Sequence, residues 1–502
     1  MTRVRTEYGV VEGLLDGDVH LFRAIPYAAP PFGADRFRAP RPPERWDGVR
    51  AATRRGPAPP QPDEPNPLTA LYVAQETGED CLTLEVCTPD PATRGLPVMV
   101  HIHGGGFVFG AGSHPGYRGH SFARAGIVHV GINYRLGIDG FLHIDGAADN
   151  RGLRDQTAAL EWVQRNISVF GGDPGNVTIF GQSGGAVSVF DHLAMPASRG
   201  LFARAIAQSG HPAATVDAAV AGRMTRQVAR RLRVPPTVDG LAGVSLDRTV
   251  AATQAAIERF ARGLAFGATA PLLISPFRGV HDTEALPAPA TAGDADVPLL
   301  TGTVRNEMIG LIAAIRDVAG PLAPLLRRGI GRALRIGDPL RAAYRDGPRR
   351  ITDGDALVEA VWTDWAFRIP TLRFAAARPS PTWVYEFRWQ SAALPPLRHA
   401  FHSVDLPFVR DDLDLVMAQG EPARELFGPE PPRELARRMH GAWVRFAQNG
   451  DPGWDRYEPR ERTTMVFDEP NAAVPDAAGA ERAAWTGRPV HDPVAPVRAI
   501  AR

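Results

Sequence analysis

Two glycine-rich motifs carry the first hints of chemistry. Gly181-Gln182-Ser183-Gly184-Gly185 sets a serine among glycines, behind the β-rich run Val177–Phe180 and ahead of the helical run Ala186–Met195. A G-x-S-x-G turn between strand and helix projects the serine hydroxyl outward, as a nucleophile for acyl transfer requires. Glycines flank it because so sharp a turn leaves no room for side chains. Earlier in the chain, His103-Gly104-Gly105-Gly106-Phe107 closes another apolar run. Successive glycines there let backbone N–H groups approach a carbonyl oxygen, and Gly184, the residue after the serine, supplies another N–H. Each such donor is worth about 3 kcal/mol to a developing oxyanion. A phosphate nest is the competing reading of a glycine-rich loop. Against it, no Lys-Ser/Thr follows the triple glycine and no G-x-G-x-x-G opens a helix.

A nucleophilic serine needs a base and an acid, and in this arrangement they follow in the order serine, acid, histidine. The chain has 14 histidines, so position must choose among them. His402 lies in the loop Ala400–Phe408, after the apolar run Trp383–Trp389, and His399 stands three residues before it. The residues alone leave both open. Glu307 follows the run Val297–Thr301 within a short loop, whereas Asp294 and Asp296 precede that run and belong at its opposite end. An ordinary surface carboxylate is the alternative reading of Glu307.

The elements that position these groups are legible as alternating periods. Pro97–His103 and Ile127–Tyr134 are nearly continuous apolar runs, which predict buried strands. Leu153, Leu160, Val163 and Ile167 recur at helical spacing between Gly152 and Ile167. Ala203–Gln208, Val297–Thr301 and Trp383–Trp389 are further candidate strands. Strand and helix in alternation predict an α/β fold, a mostly parallel central sheet with helices on both faces. The stretches 217–280 and 309–360 read as helices and loops. The arginines between Arg327 and Arg350 read as a solvated helical face. The Pro-rich stretch Gly56–Pro67 is expected to be an exposed loop on the rim of a site. No repeat or Gly/Ser linker divides the chain, so residues 1–502 are expected to form one domain.

Composition narrows the function classes. With 502 residues, 44% hydrophobic, the chain can bury a large core. All 56 basic residues are arginine, which excludes lysine Schiff-base chemistry, and a net charge of +1 gives no global field for nucleic acid. No apolar run approaches the ~20 residues of a membrane span, and Met1–His20 lacks the apolar centre of a signal peptide. Cys81 and Cys87 would lie about 20 Å apart along a strand, too far for a disulfide. Free thiols fit a reducing compartment, and a cytoplasmic location is expected.

Over nearly the whole chain these features resemble the type-B carboxylesterase family, which includes cholinesterases and bacterial para-nitrobenzyl esterases. The resemblance rests on Gly9–Gly13, Ile25-Pro26-Tyr27-Ala28, Glu79-Asp80-Cys81-Leu82, Asn133-Tyr134-Arg135-Leu136-Gly137, Phe170-Gly171-Gly172-Asp173-Pro174, Gln208-Ser209-Gly210 and Gly450-Asp451-Pro452, beside the motifs above. It implies an α/β-hydrolase fold with extra helical insertions around the site. It implies Ser183 as nucleophile, Glu307 as acid and His402 as base, since H-x-x-D/E-L-P-F selects His402 over His399. Gly105, Gly106 and Gly184 are the implied oxyanion donors, and Arg36 with Glu79 the implied structural ion pair. Phe107, Phe109 and Phe277, the last within the apolar stretch Pro271–Phe277, are candidate substrate contacts.

Departures from the pattern are informative. Gln182 stands where glutamate is usual, which removes a negative charge that would suit a cationic substrate. No cysteine is present in Gly56–Gln61 to partner Cys81. Gly184 replaces the usual alanine without touching the backbone donor. Met308 and Val304 depart from the usual residues around the acid. The expectation is therefore a bacterial carboxylic ester hydrolase acting through an acyl-enzyme on small to medium hydrophobic or aryl esters. It would need no metal or cofactor and no nucleic-acid or membrane partner, and would be a monomer or homodimer. An amidase or carbamate hydrolase using the same triad is the first alternative; a non-catalytic, cholinesterase-like binding protein is the second.

Overall fold

A computed structural model describes residues 1–63, 76–265, 275–290, 295–310, 328–332, 334, 336–391 and 399–488. Among them the strands are β1 (Thr2–Arg5), β2 (Val10–Asp16), β3 (Val19–Pro26), β4 (Val49–Ala51) and β5 (Thr83–Thr88). They continue with β6 (Leu96–Ile102), β7 (Val128–Ile132), β8 (Gly172–Gln182), β9 (Arg204–Gln208) and β10 (Val216–Asp217). The last five are β11 (Val280–His281), β12 (Leu299–Val304), β13 (Thr382–Phe387), β14 (Thr464–Phe467) and β15 (Ala472–Val474).

The main sheet runs β1-β2-β3-β5-β7-β6-β8-β9-β12-β13-β14-β15, with β4 beside β2; β10 and β11 pair separately. From β7 to β14 every pairing is parallel, and antiparallel strands close both ends. Parallel strands need crossovers, and their helices cover both faces.

Alternation along each strand feeds two cores. Val98, Val100, Ile102, Val177 and Ile179 point to one face, where they meet Leu153, Leu160, Val163, Val189 and Phe190 of the helices Arg151–Asn166 and Gly184–Ala194. Met99, Phe180, Ile206 and Leu300 point to the other, against Leu435, Met439, Trp443 and Phe446 of the helix Arg433–Asn449. The chain leaves β6 toward β7 on one side and later returns as β8 on the other. Such a switch point opens a crevice at the carboxyl ends of the strands, where ligands of open α/β sheets bind.

Two expectations need correction. Ala58, Pro59, Gln61 and Pro62 of the Pro-rich stretch are buried rather than exposed. Gln61 is drawn inward because its carboxamide pairs with both backbone groups of Gly110, donating to the carbonyl at 3.0 Å and accepting from the N–H at 2.7 Å. Residues 64–67 of that stretch lie outside the described residues. Arg36 pairs with Asp139 at 2.7 Å, not with Glu79, which is exposed. The turn that carries Arg36 packs instead on the helices Gly137–Phe141 and Leu246–Ala265, where Thr249 Oγ1 also accepts from it at 2.7 Å.

The expectation of two free thiols holds. Cys81 and Cys87 are buried and free, and burial pushes both thiols up, Cys87 to about 12. Arg328, Arg332, Arg341 and Arg345 are solvent-exposed, while Arg349 turns inward toward Asp364 and Glu481. No described helix is long and apolar enough to cross a membrane.

Candidate active site

Ser183 sits between the end of β8 and the first residue of the helix Gly184–Ala194, with φ 57° and ψ −121°. That left-handed backbone costs a non-glycine residue about 1–3 kcal/mol, so the surroundings must enforce it. They do so by close approach. A Cβ on Gly181 would lie 2.6 Å from the Gly185 carbonyl carbon, and one on Gly185 would collide with the Ile102 carbonyl oxygen. The Ser183 N–H is fixed by the Gln208 carbonyl at 2.9 Å. Strands β6, β8 and β9 thus clamp the elbow from three sides.

The glycine loop leaves the end of β6 and folds over this elbow. Gly105 has φ 103° and Gly106 φ 59°, and a Cβ on Gly105 would collide with the Phe109 carbonyl. Gly184 faces Gly106, since a Cβ on it would lie 3.0 Å from the Gly106 nitrogen. The backbone of Gly106 thus packs against Gly184, the residue after Ser183. His103 holds the base of the loop: its carbonyl accepts from Tyr134 Oη at 2.7 Å and its ring stacks on Tyr134 at 4.3 Å. Burial pulls the His103 imidazole down to about 4, so the ring is neutral and structural.

Glu307 and His402, the expected acid and base, come from loops after β12 and β13, which pair in parallel. Glu307 is buried, and its Oε2 accepts from His402 Nδ1 at 2.5 Å. Its Oε1 accepts from the Val304 N–H at 2.9 Å. With Nδ1–H committed to the carboxylate, His402 Nε2 is the acceptor nitrogen. The Gln182 carboxamide donates to it at 3.1 Å, so Nε2 faces the serine turn. Of the two candidate histidines, His402 is the one paired with Glu307. Asp296 accepts from Ser380 at the far end of β12, away from the site; Asp294 lies outside the described residues.

Sequence reasoning missed the supports of this pair. Asn306 forms a β-bridge with Phe401, joining the two loops. Asn306 Nδ2 and Thr363 Oγ1 donate to Glu359 at 3.0 and 2.7 Å, and Thr363 Oγ1 accepts from the Met308 N–H at 3.2 Å. Behind His402, buried Asp405 accepts from Tyr385 Oη at 3.2 Å. Burial, followed by the Glu307 charge, raises Asp405 to about 6. Local spacing does not mark most of these contacts, because their partners lie up to 95 positions apart.

A cavity opens at the elbow, lined by Ser183, Gly106, Gly184, Phe107, Val187 and Phe277 among others. Two of the three predicted phenylalanines reach it. Phe109 does not line it; it packs, partly buried, against the core under the glycine loop. Pro271–Ile274 lie outside the described residues. No group of three or more metal-ligating side chains occurs among the described residues.

The parallel sheet, its switch point and the strand–turn–helix elbow define an α/β-hydrolase fold. The carboxylesterase family model matches residues 1–484, and the chain belongs to that family. It is 36% identical to the para-nitrobenzyl esterase of Bacillus subtilis, with 93% of this chain and 94% of that protein covered. Phenmedipham hydrolase of Pseudarthrobacter oxydans is 33% identical, with 97% of each chain covered. Among solved structures, a PNB esterase superposes with a TM-score of 0.78 at 33% identity, covering 96% of this chain and 99% of that one. A Geobacillus stearothermophilus carboxylesterase gives 0.81 at 31% identity, covering 97% of this chain and all of the other. The protein is a carboxylesterase.

Proposed function

We propose that this enzyme hydrolyses small to medium hydrophobic or aryl esters through a Ser183–His402–Glu307 triad and an acyl-enzyme, with the chain acting as one catalytic unit. His402 Nε2 takes the Ser183 proton as Oγ bonds to the ester carbonyl carbon. The amides of Gly105, Gly106 and Gly184 receive the oxyanion. His402 then protonates the departing alkoxide as the C–O bond breaks. Water, deprotonated by the same nitrogen, attacks the acyl-enzyme, and Ser183 recovers its proton as the acid leaves. Glu307 keeps Nδ1 protonated and stabilises the imidazolium between steps. Protein groups and water suffice for this sequence.

The observation that carries the reading is the 2.5 Å contact of His402 with buried Glu307, made while the opposite ring nitrogen faces the residue beside Ser183. The cavity beside Ser183, with Phe107, Val187 and Phe277 in its wall, supports an apolar acyl or alkyl group. A fluorophosphonate probe tests the nucleophile: intact-mass labelling is expected for the wild type and not for Ser183→Ala. Equal labelling of both would remove Ser183 from the role.

A further inference from the structure

The wall of the cavity beside Ser183 is not wholly apolar. Arg278 lines it together with Ser209, Ser275, Phe277 and Phe367. Arg278 is only partly exposed, yet no carboxylate among the described residues pairs with it. Among the described residues its side chain donates from Nε to the Ser275 carbonyl at 3.1 Å, and neither terminal nitrogen has an acceptor there. Burial alone pulls the guanidinium down, to about 9, so it stays cationic at neutral pH, and no neighbouring acid opposes that shift. A partly buried cation without a counter-charge is costly, and in an enzyme cavity it suits an anionic ligand. Ser209 adds a second, independent sign. It is fully buried, its φ is 53°, and its Oγ lines the same cavity without a hydrogen-bond partner among the described residues.

Direction follows from the chemistry. The leaving alcohol must lie toward His402 Nε2 to take its proton. This cavity is lined by Ser183, Gly106 and Gly184 but not by His402, whose ring packs on the cavity residue Phe367 at 5.5 Å. The part of the substrate that enters it is therefore the acyl chain. We infer that Arg278, with Ser209 beside it, forms an anion-binding subsite in the acyl pocket, and that the favoured substrates are esters whose acyl group ends in a carboxylate, the monoesters of short dicarboxylic acids. The inference rests on the ester-hydrolase reading above and narrows its substrate class. The guanidinium fork would hold the carboxylate in two-point fashion while Phe277 and Val187 flank the methylene chain.

Paired substrates test it. 4-Nitrophenyl hydrogen glutarate and 4-nitrophenyl pentanoate share a leaving group and chain length and differ in the terminal carboxylate. The wild type is expected to favour the glutarate by tenfold or more in kcat/KM, as a charge-assisted hydrogen bond allows. In Arg278→Met that ratio is expected to fall to about one or below, whatever the absolute rates, and Arg278→Lys is expected to keep part of it. A wild-type ratio near or below one, or a ratio unchanged in Arg278→Met, would overturn the subsite. Should Arg278→Met fail to fold, the wild-type ratio still decides, together with competitive inhibition of pentanoate hydrolysis by free glutarate. A second pair, 4-acetoxybenzoic acid against methyl 4-acetoxybenzoate, places the charge on the alcohol side; a preference for the acid there and not for the glutarate would overturn the acyl assignment. If the wild type cleaves none of these esters, the ester-hydrolase reading itself fails, which is a different result from cleavage without charge preference.

Discussion

The two halves of the candidate site are built by different means. The proposed nucleophile half, Ser183 with Gly105, Gly106 and Gly184, is made of backbone held by contact. Glycines lie so close to neighbouring strands that even a methyl group has no space, as at Gly104, where a Cβ would lie 2.7 Å from the Gln182 carbonyl. The proposed acid–base half, Glu307 with His402, is made of side chains held by hydrogen bonds, to each other and, at Glu307, to the Val304 N–H. Asn306, Glu359, Thr363, Tyr385 and Asp405 surround it with hydrogen bonds that reach across the sequence. The first half should therefore fail when bulk is added, the second when charge or hydrogen bonding is altered at constant size.

Substitutions matched to each half can break that contrast. The largest of these effects is expected from Glu307→Gln, which keeps volume but loses the charge that fixes the His402 tautomer. It should lower kcat about 10⁴-fold with the folded state retained by near-ultraviolet circular dichroism. A loss under tenfold would show that the pairing is structural. Next comes Gly105→Ala, which adds a methyl against the Phe109 carbonyl at a left-handed φ. Displacing one donor should cost about 10²–10³ in kcat with KM little changed; a change confined to KM would place the loop outside transition-state binding.

Asp405 sharpens the electrostatic side. Its value is raised to about 6 by burial first and the Glu307 charge second, against about 3.9 when unfolded. Between those values the native chain keeps a proton that the unfolded chain has released, so stability is lost as pH rises from about 4 to about 6. Asp405→Asn retains an acceptor for Tyr385 and removes the ionisation. Its stability gain over the wild type should be absent near pH 4 and grow to at most about 3 kcal/mol above pH 6, read by denaturant unfolding. A gap that does not vary with pH would contradict the assignment. The smallest effect is expected from Gln182→Glu, which sets a carboxylate against His402 Nε2. It should move the acid limb of the kcat/KM profile up by about one unit, and an unmoved limb would mean that the 3.1 Å contact is lost in solution.

The same contrast explains what was legible in the sequence. Glycines forced by close approach leave a local signature, so the elbow, the triple glycine and the strands Leu96–Ile102 and Gly172–Gln182 could be read from the residues. The strand ending at Gln182 begins five residues earlier than its apolar run suggested, because Gly172 pairs with Leu96 through backbone alone. The acid and base were narrowed to Glu307 and to one of two histidines, but the supports at Glu359, Thr363 and Asp405 were not read, since a buried hydrogen bond across dozens of residues has no period. The Arg36 pairing failed for the same reason. Asp139 and Glu79 are equally acidic on paper, and only the packing of the Arg36 turn on the helices Gly137–Phe141 and Leu246–Ala265 selects between them.

The joint action of Ser183 and His402 is tested most directly by kcat for Ser183→Ala, His402→Ala and the double variant on one aryl ester. Members of a catalytic unit are strongly non-additive. Each single change is expected to remove about 10⁶ of the rate, and the double variant to be no slower than either. Losses that multiply, or a His402→Ala enzyme close to wild-type rate, would contradict a proton path from Ser183 through His402.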